Sequence, residues 1–199
     1  MILSDREIRA ALDRDAMKIT PLPQASAWSS TAIDLTLDRE LVRLKAPLIA
    51  GVPTPVSPAE SGYRFDLLIR ESGEQITMSS SGHVFESGSF LLAWTTEKLQ
   101  LPHRSRLAAR VEGKSSLARL GIGVHVTAPT IHAGFGFKQG DPGYVGSPLQ
   151  LEMWNCGPLD IKLLPGMPIC QLIVELVDGT PEKGYDGRFS IQGPRQVQA

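Results

Sequence analysis

In 148-PLQLEMWN-155, two leucines and a methionine alternate with a glutamine, a glutamate and a tryptophan. Successive side chains of a strand point to opposite faces, so the run reads as a strand. Leu149, Leu151 and Met153 share one face, and Gln150, Glu152 and Trp154 share the other. If the first face enters a core, the second can line a pocket with an amide, a carboxylate and an aromatic plate. A carboxylate inside an otherwise apolar strand is costly unless it has a partner or a task, which makes Glu152 a candidate catalytic residue. The plainer reading is a polar row facing solvent on an edge strand.

The same period of two recurs at Ile33, Leu35 and Leu37, which alternate with Asp34, Thr36 and Asp38. Further strands are predicted at Tyr63–Ile69, Gln75–Met78, Ser89–Thr95, Leu107–Val111, Ile161–Leu164 and Ile169–Leu176, most bounded by Gly, Pro, Ser or Asp. Fifteen prolines and nineteen glycines suit tight turns and break long helices. Ser4 followed by Glu7, with Ile8, Ala11 and Leu12 beyond, predicts one helix over about Asp5–Asp13. A second helical turn is expected at Ser115–Leu120. The expected architecture is one mostly β domain over residues 1–199, antiparallel, barrel-like or jelly-roll-like, with one or two short helices. Residues 183–199 are polar and glycine-rich, and read as a mobile tail whose Tyr185, Arg188 and Gln192 could close over a ligand.

A net charge of −1 argues against broad nucleic-acid binding, which needs a basic surface, but leaves room for a small anion. The N-terminus lacks an export signal and no apolar run approaches the length of a membrane span, so a soluble, cytoplasmic protein is expected, with no membrane partner. In such a compartment Cys156 and Cys170, both in strand-like segments, are expected as buried thiols.

The densest polar chemistry lies in 112-EGKSSLARLGIGVHVTA-128. Gly113-Lys114-Ser115 is no P-loop, because the required first glycine is Ala108. Lys114, the hydroxyls of Ser115 and Ser116 and the amides of the helical turn nevertheless suit phosphate oxygens. Arg119, four residues after Ser115, falls on the same face. The bland alternative is a loop that merely turns the chain. Asp141, in GDPGYVG, is on its own a turn former, and His125 a core histidine. His83, His103 and His132 have no ligand-spaced companions. A zinc deaminase would show H-x-E with P-C-x-x-C, and a serine hydrolase of the usual kind G-x-S-x-G; neither pattern is present.

In order along the chain, ILSDREIRAAL, SAWSSTAIDLTLD, GKSSLARLG, HVTA, DPGYVG, LQLEMWN and LPGMPICQLIVE resemble the dCTP deaminase branch of the dUTPase superfamily over nearly the whole length. The resemblance implies a dUTPase-like distorted barrel, a homotrimer with active sites between subunits, and conversion of dCTP to dUTP and ammonia without zinc. Mg²⁺ would arrive on the triphosphate. Carried over, Lys114, Ser115, Ser116 and Arg119 form the phosphate and active-site loop, and Glu152 is the proton shuttle. Ala128 offers its carbonyl to the attacking water. Asp141 and the backbone of Gln150 and Leu151 contact sugar and base, Gln171 touches the nucleotide, and Tyr185, Arg188 and Gln192 form the lid.

Two features depart from the pattern. PTIHAGFGFKQG, residues 129–140, is longer than usual and either reshapes base recognition or extends a surface hairpin. Members that also cleave dUTP to dUMP tend to read GKSSLGRLG. Here Lys114 matches that subgroup, while Ala118 and HVTA match the deaminase-only pattern. A bifunctional enzyme, a dUTPase, and a non-enzymatic nucleotide sensor responding to dCTP, dUTP or dTTP are the alternatives. Within the leading reading, dTTP is a candidate inhibitor.

Overall fold

The alternating run at 148–155 becomes a largely buried strand of a curled antiparallel sheet. The computed structural model describes residues 1–49, 51–124, 128–185, 187 and 192–193. Among them the chain forms α1 (Asp5–Asp13), β1 (Lys18–Thr20), β2 (Ile33–Leu44), β3 (Leu48–Ile49), β4 (Val52–Pro53), α2 (Phe65–Ser72), β5 (Gly73–Thr77), β6 (His83–Phe85) and β7 (Phe90–Gln100). It continues with β8 (Leu107–Gly113), α3 (Ser115–Ala118), β9 (Ile122–Val124), β10 (Thr130–Ile131), β11 (Ser147–Asn155), β12 (Ile161–Leu163) and β13 (Pro168–Leu176). The expected mostly β, antiparallel fold is what these elements build.

The main sheet runs β10-β8-β13-β2-β7-β11-β9, with β1 on β7 and β5 on β2. It curls until β8, near one margin, touches β9 at the other, and α3 is the link that carries the chain across. Inside the curl lies the core: Ile33, Leu35 and Leu37 of β2, Leu91 and Ala93 of β7, Leu149, Leu151 and Met153 of β11, and Cys170, Leu172 and Val174 of β13. Each set is spaced by two, so strand alternation alone delivers them to one face. At roughly 25 cal/mol per Å² of apolar surface removed from water, such a layer is the dominant source of stability.

Helix α1 forms where the capping pattern placed it. Ser4 Oγ accepts the Glu7 N–H at 3.3 Å, and Ile8 and Ala11 are buried. Irregularities in β2 are absorbed by a buried acid: Glu97 accepts from the Thr36 N–H at 2.8 Å and the Thr36 hydroxyl at 2.9 Å, just before the pairing of β2 with β7 slips.

The expectation of a strand at Tyr63–Ile69 is overturned, because the segment is α2. Phe65 and Ile69, four apart, lie on one helical face over Val42, Leu92 and Trp94, a second apolar cluster on the outer face of β2 and β7. Asp66 in the first turn and Arg70 in the last suit the helix dipole. A short apolar run is ambiguous between strand and helix until its packing partner is known. Helix α2 therefore roofs the face on which Gln150 and Glu152 stand. Among the described residues no helix is long and apolar enough to cross a membrane.

Of the two thiols expected to be buried, one is and one is not. Cys170 is buried, and burial among apolar neighbours drives its thiol pKa upward, whereas Cys156 is exposed and its thiol donates to the Gly121 carbonyl at 3.1 Å.

Candidate functional site

Pairing with β7 fixes which way β11 presents its side chains. Leu151 lies opposite Ala93 and Met153 opposite Leu91, all facing the core; Gln150 lies opposite Trp94 and Glu152 opposite Leu92, facing outward. That face is covered in part by α2 and by Gln192, and the space beneath is a cavity of about 400 Å³. Its apolar walls include Leu44, Phe65, Phe90, Leu92, Ile131, Phe135 and Leu149. Its polar groups come from Gln150, Glu152, Ala128, Thr130, His132, Tyr185 and Gln192. An apolar enclosure with a few convergent polar groups is the usual form of a small-molecule site. Glu152 is half-buried there.

Trp154, expected as an aromatic plate, is 51% exposed and outside the cavity. The strand twists past the roof, and Phe65, Phe90, Phe135 and Tyr185 supply the rings instead.

Gln192 is docked on β11. Its Oε1 accepts the Gln150 N–H at 2.6 Å and its own N–H donates to Ser147 Oγ at 2.5 Å. Tyr185 N–H donates to the Ala133 carbonyl at 2.9 Å, and its ring stands 5.0 Å from that of His132. Both lid residues that the structure describes thus reach the cavity; Arg188 lies outside the described residues, as do His125, Val126 and Thr127.

The phosphate-loop residues are elsewhere. Helix α3 starts after Lys114, and the Arg119 N–H bonds back to the Ser115 carbonyl at 3.2 Å, which puts both side chains on one face. Ser115, Ser116 and Arg119 are exposed and line no part of this chain's cavity. The turn ends at Gly121, with φ +89°, where an added Cβ would come within 2.3 Å of the Gly157 backbone. Only glycine fits so close an approach. Lys114 is not a loose cation: its Nζ lies 2.5 Å from Asp34 Oδ2, with both side chains 20% exposed. Asp34 also accepts from Gln171 Nε2 at 3.1 Å, so Gln171 and Lys114 share one acid on the sheet's outer face. Among the described residues Arg119 makes no ion pair, so its guanidinium is the cation of this turn left for an anion.

Asp141 does not join these groups in this chain. It sits exposed on the turn it was expected to form, where the Tyr144 N–H bonds its carbonyl at 3.2 Å, beside a separate cleft with Asp15 and Lys18. The long 129–140 segment divides in two. Its first half turns at His132–Phe135 into the cavity wall, and its second half runs outward to Lys138 and Asp141. Leu151 has its side chain fully in the core, so only its backbone remains for a ligand.

His132, Thr130 and Asp34 were missed as site residues. Asp34 carried the same signal as Glu152, an acid in an alternating strand. His132 carried none, since only the tertiary structure brings it to the cavity that Glu152 lines. Among the described residues no three or more His, Cys, Asp or Glu gather as a metal site.

Residues 2–177 match the family model described as dCTP deaminase-like. A dCTP deaminase, dUMP-forming, of Methanosphaera stadtmanae is 33% identical over 98% of this chain and 92% of its own length. A dCTP deaminase of Natronomonas pharaonis is 36% identical over 93% of this chain and 85% of its own. The crystal structure of 2′-deoxycytidine 5′-triphosphate deaminase from Agrobacterium tumefaciens superposes with a TM-score of 0.63 at 26% identity, over 88% of this chain and 48% of that one.

Proposed function

The chain belongs to the dCTP deaminase-like family, and from that membership we propose that it hydrolyses the amino group of dCTP to give dUTP and ammonia. The observation that carries this reading is Glu152, held half-buried in an apolar-walled cavity beside Gln150 and Gln192. No lysine or arginine among the described residues lines the cavity, so it suits the uncharged base and sugar better than the phosphates.

In the proposed reaction Glu152 accepts a proton from a water lodged near the Ala128 carbonyl and Ser115. The hydroxide adds to C4 of the cytosine ring. The same carboxyl then returns the proton to the amine, which leaves as ammonia, and the remaining proton of the added hydroxyl ends on N3 as C4 becomes a carbonyl. One group serving as base and then acid contributes typically about 10²–10⁴-fold. Zinc has no part in this sequence; Mg²⁺ enters as part of the nucleotide. Ser115, Ser116 and Arg119 hold the triphosphate, and Gln171 assists through Asp34 and Lys114. Since that turn lies outside its own chain's cavity, the complete site forms between subunits of a homotrimer, with Tyr185, Arg188 and Gln192 closing it.

A second reading has one observation in its favour: relatives at similar identity divide between dCTP deaminase and the dUMP-forming kind. Incubation of the purified chain with dCTP and Mg²⁺, with products separated by anion exchange, decides. Release of dUTP and ammonia supports the proposal; dUMP with pyrophosphate supports the second reading; absence of both sinks deamination.

A further inference from the structure

Lys114 does two things at the junction of β8 and α3. Its carbonyl accepts the Leu117 and Ala118 N–H groups, each at 2.9 Å, and so starts a turn that has no side-chain cap. Its ammonium reaches Asp34 on β2, 2.5 Å from Oδ2, while Gln171 Nε2 donates to Oδ1 of the same acid at 3.1 Å. Register explains the meeting. Gln171 of β13 lies opposite Asp34 on one side and Glu112 of β8 on the other, so three strands bring the acid, the amide and the end of β8 together. Both carboxylate oxygens of Asp34 are engaged, and its side chain, like that of Lys114, is mostly withdrawn from water. Charges so placed hold each other firmly, because losing one partner strands the other.

The far end of the turn is held as well. The Gly121 N–H bonds the Ala118 carbonyl at 3.0 Å, the Cys156 N–H bonds the Gly121 carbonyl at 2.9 Å, and Leu117 packs against the core. Ser115, Ser116 and Arg119 stand exposed between these two anchors.

We propose that Asp34 is a positioning residue: through Lys114 it ties the start of α3 to β2, and so holds Ser115, Ser116 and Arg119 in the arrangement that grips the triphosphate. It rests on those three residues being the phosphate contacts of the proposed function. The sign of the effect separates this role from its simplest rival. A carboxylate serving only as counter-charge to Lys114 repels phosphate, so its removal tightens nucleotide binding, whereas removal of an anchor loosens it.

The test measures kcat and KM for dCTP, and deoxycytidine binding by calorimetry, in the wild type, Asp34→Asn, Asp34→Glu, Lys114→Met and the double variant Asp34→Asn/Lys114→Met. Asp34→Asn should raise KM about three- to tenfold, change kcat less than about twofold and leave deoxycytidine binding as it was. Asp34→Glu, which keeps the carboxylate, should recover part of the loss. Because the pair acts as one unit, the double variant should be no worse than either single variant. It also removes both charges at once, so it carries the test if Asp34→Asn, with its stranded ammonium, fails to fold; an unchanged KM there overturns the anchor. A KM that holds or falls in Asp34→Asn, penalties that multiply in the double variant, or an equal loss for deoxycytidine overturns this inference alone. A wild type that does not deaminate dCTP overturns the functional reading beneath it as well.

Discussion

Strand β11 and helix α3 carry the two halves of the candidate site in different physical settings. β11 has three neighbours in register or docked on it, and its inward residues Leu149, Leu151 and Met153 are at most 2% exposed. Glu152 is aimed by that packing, without help from a ligand. α3 is a single turn with exposed hydroxyls and an exposed arginine. Bond-breaking groups need fixed geometry, which a core supplies; groups that grip a highly charged, strongly hydrated triphosphate do better near water, where desolvation costs less.

Replacement of the acid is the largest expected break. Glu152→Gln should lower kcat for dCTP about 10²–10⁴-fold while leaving dCTP affinity nearly unchanged, read by ammonia release and by calorimetry. Undiminished turnover would remove β11 from the chemistry.

Next comes the support beneath it. Leu151→Ala, at a position with 0% exposure, should cost about 2–5 kcal/mol in urea unfolding. Leu117→Ala, on the partly buried face of α3, should cost distinctly less. Equal losses would mean that the two regions are equally built into the core.

Within the α3 region the two cations should separate. Arg119→Met is expected to raise KM for dCTP about 10–100-fold, as loss of a charge-assisted contact does. Lys114→Met should raise it less, because its ammonium is already engaged by Asp34. The reverse order would show that the ion pair opens for phosphate.

The smallest effect is that of salt. Raising ionic strength from about 0.05 to 0.5 M should weaken dCTP binding several-fold and leave deoxycytidine binding nearly unchanged, since exposed charges are screened and the cavity's contacts are not. Equal weakening of both ligands would place charge inside the nucleoside pocket.

Much of this molecule was legible in the order of its residues. The cap at Ser4, the alternation of β2, β11 and β13, and the turn of Ser115–Ala118 are decided within a few positions of each residue, so short-range pattern suffices. Phe65–Ser72 misled because its apolar run suits either period until Val42, Leu92 and Trp94 present a face for Phe65 and Ile69. Trp154 misled because alternation tells which face a residue joins, not whether anything covers that face at its end of the strand.

From the sequence alone came the β character, the acid on a strand and the donor-rich turn, all properties carried by neighbouring residues. Only the tertiary structure decided that Lys114 belongs to Asp34, 80 positions away, that Gln192 rests on Gln150, 42 positions away, and that His132 and not Asp141 faces the cavity with Glu152. Those pairings depend on how far the sheet curls, and the curl is set jointly by every side chain packed inside it.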